Sequence, residues 1–398
     1  MTPALVVIAY DRPETLQRLL SSLDAAVYPE AVDVPLIVTI DHGESPGAMR
    51  VFELARDFDW RFGTKRIVKQ PRHLGLVEHF REAGRLSRDH DAIILLEDDL
   101  TVAPPFYSFA SQALARYDVD ERIGGVCLYD LWFNGFTRLP FQPLADGSDV
   151  YFVRLPYTQG LALTAVQWRR FDEWWQMNGP VVQPHPALHP AFLSFGSDEW
   201  FPALASYLAR EERFFCFPRV SLTTGWGDAG VHFDTRSEWF LAPVQLRGDV
   251  YRLPALDDSL AVYDSFFELA PERLKLLAQS LPPLEFDIDL NATKLPQNLR
   301  SDHVLTTRPV RQRLAQFGLR LQPLELNVVQ EVPGDEISLA RVEDVYWDRW
   351  AGLEARRRLE MLAWSKRRTS RRRSVAFGFA RAANRLRRIK DSLRMRQK

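Results

Sequence analysis

Apolar and polar positions alternate along the first hundred residues in two rhythms. Residues 4–10, 34–40 and 92–99 carry short, nearly unbroken apolar runs of the length of buried strands, and Arg66-Ile-Val-Lys69 reads as a shorter one. Between them, Leu16, Leu19, Leu20 and Leu23 recur at helical spacing, as do Val51, Leu54, Ala55 and Phe58, and a helix carrying His79 follows His73-Leu-Gly75. Asp11 is placed to cap the first helix, with Pro13 in its first turn. Strands separated by helices predict a parallel α/β sheet, in which ligands bind beyond the carboxyl ends of the strands.

Further along, the pattern predicts a helix over 106–117, a strand over 124–129, a Gly/Pro/Asp-rich loop over 134–150 and a strand over 151–155. Gly160 to Thr164 leads into a helix whose Trp168, Phe171, Trp174 and Trp175 are expected in the core. His185 and His189, set among prolines, read as a surface loop rather than a metal pair. Ser197-Asp198-Glu199-Trp200 opens a helix containing Phe201, Leu204, Ala205 and Leu208, where an acid is usually a cap. Three glycines, Gly225, Gly227 and Gly230, then point to a lid or a close backbone approach to a ligand. From 246 the character changes. One or two helices are expected over 259–281, and short strands at 284–290, 303–306 and 323–330 around a helix at 310–317. The chain therefore divides into an α/β unit (1–245), a small α+β region (246–345) and a basic tail (346–398).

Charge sharpens that division. The net charge is −1, but residues 366–398 hold fourteen Lys/Arg and one acid, leaving −14 on the residues before them. Val375, Phe379, Ala382, Leu386, Ile389 and Leu393 fall near one helical face of this segment. A cationic amphipathic helix of this kind can lie on an anionic membrane; a solvated tail and RNA binding are the alternatives, with nucleic acid not the expected partner. Two cysteines, Cys127 and Cys216, make no disulfide framework. With no charged leader and no apolar run of membrane-spanning length, a cytoplasmic protein is expected, its tail able to rest on the inner face of the cell membrane.

The candidate chemistry gathers at Glu97-Asp98-Asp99, which follows the buried run Ile93 to Leu96. Strand periodicity would send Glu97 and Asp99 one way and Asp98 the other. Asp11, Arg12 and Asp41 lie at the ends of neighbouring strands. Three adjacent acids need a compensating cation, and hard oxygen ligands suit Mg²⁺ or Mn²⁺. No GxGxxG or P-loop is present, so the phosphates of a nucleotide would be held by a metal and basic side chains. A carboxylate about 4 Å from a phosphate charge costs roughly 4 kcal/mol at an effective dielectric near 20, so a divalent ion between them is implied.

The ordered set Ala9-Tyr-Asp-Arg12, Asp41-His-Gly43, His79, Glu97-Asp-Asp-Leu-Thr-Val-Ala-Pro104, Gly160-Leu161, Ser197-Asp-Glu-Trp200 and Gly227-Asp-Ala-Gly230-Val231 resembles glycosyltransferase family 13, the N-acetylglucosaminyltransferase I family, over about residues 4–235. The resemblance implies a GT-A fold, a Rossmann-like, mostly parallel sheet with flanking helices. It also implies an inverting, metal-dependent transferase that uses a UDP-sugar, with Mn²⁺ or Mg²⁺. By position, Asp41 would contact uracil, Arg12 would lie beside the nucleotide and His79 near the uridine. Asp99 would bind the metal, with Asp98 near the ribose and Glu97 near the donor sugar. Asp198 would be the general base, and the stretch containing Gly230 and His232 would order over the donor. The family has Trp where this chain has Ser197, a position that shapes the sugar pocket, so the family's donor sugar does not carry over with it; it also has a membrane anchor that is not seen here, so its glycoprotein acceptor is not carried over and a glycan or lipid-linked hydroxyl is expected. The competing readings are a sugar-nucleotide pyrophosphorylase, whose Gly-rich, Arg-containing first loop is not matched by Ala9-Tyr-Asp-Arg12, and a non-catalytic glycan- or nucleic-acid-binding protein.

Overall fold

The structure, a computed structural model, describes residues 1–228 and 240–348; Gly230, His232 and the basic tail lie outside the described residues. The opening apolar runs form β1 (Ala4–Ala9), β2 (Leu36–Ile40), β3 (Lys65–Lys69) and β4 (Ala92–Glu97), connected by α1 (Pro13–Asp24), α2 (Pro46–Asp57) and α3 (Gly75–Arg85). All four strands run parallel, in the spatial order β4-β1-β2-β3. Opposed residues such as Ile8 and Glu97, and Ala9 and Ile40, bring their carboxyl ends to one edge. β1 is apolar throughout because it is covered on both faces: Ala4, Val6 and Ile8 enter one core, and Leu5, Val7 and Ala9 the other.

After a turn at Asp98-Asp99 come β5 (Leu100–Val102), α4 (Phe106–Tyr117), β6 (Ile123–Cys127), β7 (Val150–Val153), β8 (Leu161–Thr164), α5 (Ala165–Asn178), α6 (Phe201–Arg210), β9 (Phe214–Pro218), β10 (Thr223–Gly225) and β11 (Val262–Tyr263). The large sheet has nine strands in the order β11-β7-β9-β6-β8-β4-β1-β2-β3, mostly parallel, with helices on its faces. β8 runs antiparallel to both β4 and β6, so the carboxyl ends of β4 and β6 share an edge with the loop that precedes β8. β5 and β10 form a separate antiparallel ribbon. The aromatic helix α5 starts at a capping box between Thr164 and Gln167. As expected, Trp168, Phe171, Trp174 and Trp175 are buried.

The remaining elements are α7 (Pro271–Leu277), β12 (Asp287–Asp289), β13 (His303–Thr306), β14 (Ala315–Phe317), α8 (Leu326–Val329) and β15 (Ile337–Arg341). Four of them make a second sheet, β12-β13-β15-β14. Three local expectations are corrected here. Residues 259–281 hold a strand and one short helix rather than a helix or two. Residues 315–317, read as part of a helix, are β14, held in extended form by antiparallel pairing with β15. The strand expected at 323–330 is instead the single turn α8, because the buried Asn327 amide folds the chain back by bonding the Arg320 and Leu321 N–H groups and the Leu321 and Leu324 carbonyls. β11 lies beyond the expected boundary at 245 and pairs with β7 at the edge of the large sheet. Among the described residues, no helix is long and apolar enough to cross a membrane.

Candidate active site

β4 ends at Glu97, and Asp98-Asp99 form the turn into β5. The expected alternation of the three acids stops there. One guanidinium, Arg12, reaches both Asp98 and Asp99, the latter at 3.1 Å. Arg12 rather than Asp11 occupies the cap position of α1; its own carbonyl accepts from the Thr15 hydroxyl at 2.8 Å, and no side chain caps the helix. Burial pushes the Asp98 carboxyl up to about 7, against the pull of Arg12 and with Asp99 adding to the rise. Burial, then Asp99 and Asp98, push Glu97 up to about 8. Burial disfavours the charge of Arg12, but the two aspartates outweigh it and raise its pKa. The strand end thus crowds three carboxyl groups around one arginine.

Among the described residues, no three of His, Cys, Asp and Glu converge as a self-sufficient metal cage. Mg²⁺ and Mn²⁺ do not need one: they are commonly held by one or two carboxylates, with phosphate oxygens and water completing the octahedron. Asp99, with 38% of its side chain exposed beside two crowded acids, fits that arrangement.

Across β1 and β2 the same edge becomes more enclosed. Asp41 follows β2 and is 3% exposed. Its Oδ1 accepts from the His42 and Leu74 N–H groups, and its Oδ2 accepts from Gly75 N–H and lies 2.9 Å from His73 Nδ1. It thereby holds the turn into α3. His79, one turn into α3, is buried against the Thr39 hydroxyl at 2.9 Å, and burial pushes it down to about 4, so it is neutral. Tyr10, exposed at the end of β1, packs against the His73 ring at 5.1 Å.

Asp198 lies on the surface in a turn ahead of α6, which starts only at Phe201 with Trp200 at its cap position; Asp198 is therefore not that helix's cap. Trp200 links this turn to the acids. Its indole stacks on Phe80 at 3.9 Å, and its Nε1 donates to Glu97 Oε1 at 3.3 Å. The turn carrying Asp198 is thus anchored two residues away at the end of β4. His185 and His189 each use Nδ1 to accept the N–H two residues on, and His189 stacks on Phe136.

No family model and no curated protein matches the sequence. Among solved structures, the chain is similar to S. aureus TarS 1–349, with a TM-score of 0.37 and 11% identity over 57% of this chain and 61% of that one. It is also similar to the mannosyltransferase PcManGT from Pyrobaculum calidifontis in complex with GDP-Man and Mn²⁺ (0.32, 13%, 55% and 58%) and to GalNAc-T7 with UDP, GalNAc and Mn²⁺ (0.35, 13%, 55% and 43%). The chain spans less than two thirds of each of these structures. Likeness at this level carries no argument about chemistry, which rests on the chain's own residues.

Three features of the site have no signal in the sequence: the Tyr10–His73 pair, the bond from Trp200 to Glu97, and a groove of about 540 Å³ beside α1 lined by Arg18, Thr101 and Trp226. In that groove the Trp226 indole donates to Thr101 at 2.6 Å, Arg18 lies over its ring, and Arg18 pairs with Asp228. Exposed aromatic rings at strand ends recur without a period, so only the folded chain brings them together.

Proposed function

We propose that this chain is an inverting glycosyltransferase of the GT-A type, similar to family 13, that moves a sugar from a UDP-sugar, GlcNAc being the first donor to try, to a hydroxyl of a glycan or lipid-linked acceptor. The observation that carries the reading is the surplus of acid at the end of β4, to which the turn bearing Asp198 is tied through Trp200 and Glu97. Asp99 would hold a divalent cation. That ion, when bound, would offset charge on the departing diphosphate. Arg12 would bind phosphate once its hold on Asp99 is released. Tyr10, His73 and Asp41 lie where a base and ribose would rest, beyond the ends of β1 to β3, with His79 behind them. Asp98 would lie near the ribose and Glu97 near the donor sugar. Gly230 and His232 would close over the donor. Asp198 takes the proton of the acceptor hydroxyl as its oxygen bonds to the anomeric carbon and the bond from that carbon to the diphosphate oxygen breaks. Residues 366–398 would rest on an anionic membrane.

The decisive experiment pairs a screen of UDP-, GDP- and CMP-sugars, with and without Mn²⁺, with Asp198→Asn. Metal-dependent nucleotide release by the wild type is expected. Asp198→Asn should bind the donor but lose transfer by about a hundredfold or more, the scale of a general base. A variant that transfers at the wild-type rate removes Asp198 from this role, and no nucleotide release from any donor removes the transferase reading.

A further inference from the structure

The order of strands divides the cleft edge into two sides. The ends of β3, β2 and β1, with β4 beyond them, form the side assigned above to nucleotide and metal. On the other side of β4 stand the loop before β8 and the carboxyl end of β6. Here Asp130 follows β6 by three residues. Its backbone N–H donates to Ser221 Oγ at 2.6 Å, and its Oδ1 accepts from the Tyr151 hydroxyl at 2.9 Å. That hydroxyl in turn accepts from Leu131 N–H at 2.8 Å. The carboxylate is therefore fixed by one oxygen, while Oδ2 takes no hydrogen bond among the described residues. Asp130 is only half-buried, so this oxygen is not sealed in the core. Burial pushes its carboxyl up to about 7, against the pull of Tyr151 and Arg219, so its charge is held at a cost that a donor hydroxyl would relieve.

The neighbouring loop supplies a ring. Tyr157, half-buried, stacks on Tyr129, the residue before Asp130, with ring centres 4.7 Å apart. The next residue, Thr158, shares a water-sized cavity with Glu97 and Trp200. Gln159 then ties the loop to β10, its Oε1 accepting from Gly225 N–H at 3.1 Å. Tyr129 thus joins Asp130, its neighbour along the chain, to Tyr157, and Thr158 joins Tyr157 to Glu97 and to Trp200, two residues from Asp198. Carboxylates that accept from hydroxyls and aromatic rings that cover the apolar face of a pyranose are the two groups that most often hold sugars.

We infer that Asp130 and Tyr157 form the subsite for the sugar ring of the acceptor, Asp130 Oδ2 accepting from a ring hydroxyl while the tyrosine ring lies along the ring's C–H face. The inference rests on the transferase reading above and adds the acceptor class, a pyranoside rather than a simple alcohol or a peptide hydroxyl.

The probes are methyl glycosides of glucose, galactose, mannose and N-acetylglucosamine, given to the full chain with the donor found in the nucleotide-sugar screen. At least one should speed nucleotide release above the donor's own hydrolysis. For that glycoside, Asp130→Asn, which keeps an acceptor for Tyr151 but loses the charge, should raise the acceptor KM by about tenfold or more, as loss of a charged hydrogen bond does. Tyr157→Ala should do likewise. Donor KM should move less than about twofold, and the melting temperature of Asp130→Asn should match the wild type. An acceptor KM unmoved in a folded Asp130→Asn overturns the subsite. So does a parallel rise in both KM values, which would mean a structural role. Failure of every glycoside to stimulate a wild type that still hydrolyses its donor overturns the pyranoside assignment while leaving the donor site intact. Absence of any nucleotide release overturns the transferase reading itself.

Discussion

His79 carries its chemistry through burial rather than exposure. Its unfolded form takes up a proton near the ordinary value of 6.5, whereas the folded form does so only at about 4. The native state therefore binds fewer protons between these values. The stability this contributes is full above about 6.5 and is lost as pH falls towards 4. At about 1.4 kcal/mol per unit, the loss is on the order of 2–3 kcal/mol across that window. The buried acids Glu97, Asp98 and Asp130, raised above their ordinary values, shift stability the opposite way over the same range. The measurement is therefore a difference: the urea-unfolding stability of the wild type relative to His79→Gln, which can still bond Thr39, should fall by that amount between pH 7 and pH 4.5. The acids at 97–99 could be read in advance because an apolar strand announces where its end will lie. Asp130 could not, since a single acid in a loop has no period, and Tyr151 and Tyr157 are separated from it by twenty residues or more. Asp41 was legible as the residue at the end of β2, but its grip on Leu74 and Gly75 was not, because backbone donors leave no trace in the sequence.

Among the elements, the four parallel strands were legible to within about two residues at each end, and the helices between them by their apolar spacing, because burial on one or both faces imposes a pattern many residues long. β5, β10, β11 and β14 were not. Each is two or three residues long and is defined by the strand it pairs with rather than by its own composition. Helix packing adds a sharper constraint. A Cβ on Gly84 of α3 would fall 2.1 Å from the Trp168 ring of α5. Gly84→Ala, which helix propensity alone would make favourable by up to about 1 kcal/mol, should instead destabilise by on the order of 2 kcal/mol through overpacking. Denaturant midpoints would check this, and Trp168→Leu in the same background should restore part of the loss.

Across the whole molecule, the two sheets are stapled by buried polar groups. Glu268, just past β11, accepts from the N–H groups of Leu290 and Asn291 at the end of β12. Lys294 pairs with Asp264, the residue after β11, at 2.6 Å, and within the second sheet Asp289 pairs with Arg308 at 2.9 Å. Phe286, Ile288, Leu290, Leu305 and Leu339 pack in the same apolar cluster as Tyr151 and Tyr263 of the large sheet. Glu268→Ala leaves two buried donors without an acceptor and should cost about 3 kcal/mol or more. A chain stopped after Leu284 should lose cooperative unfolding and bind a hydrophobic dye, as calorimetry and fluorescence would show. The sequence reads as changing character at residue 246; the sharing of one core across that point was not legible, because contacts between distant segments have no local signature.

The indole held between Phe80 and Glu97 also gives the protein an optical gauge of its own. Whatever displaces that glutamate must change the surroundings of a tryptophan, so the emission difference between wild type and Trp200→Phe should track cleft occupancy in real time, with no label attached.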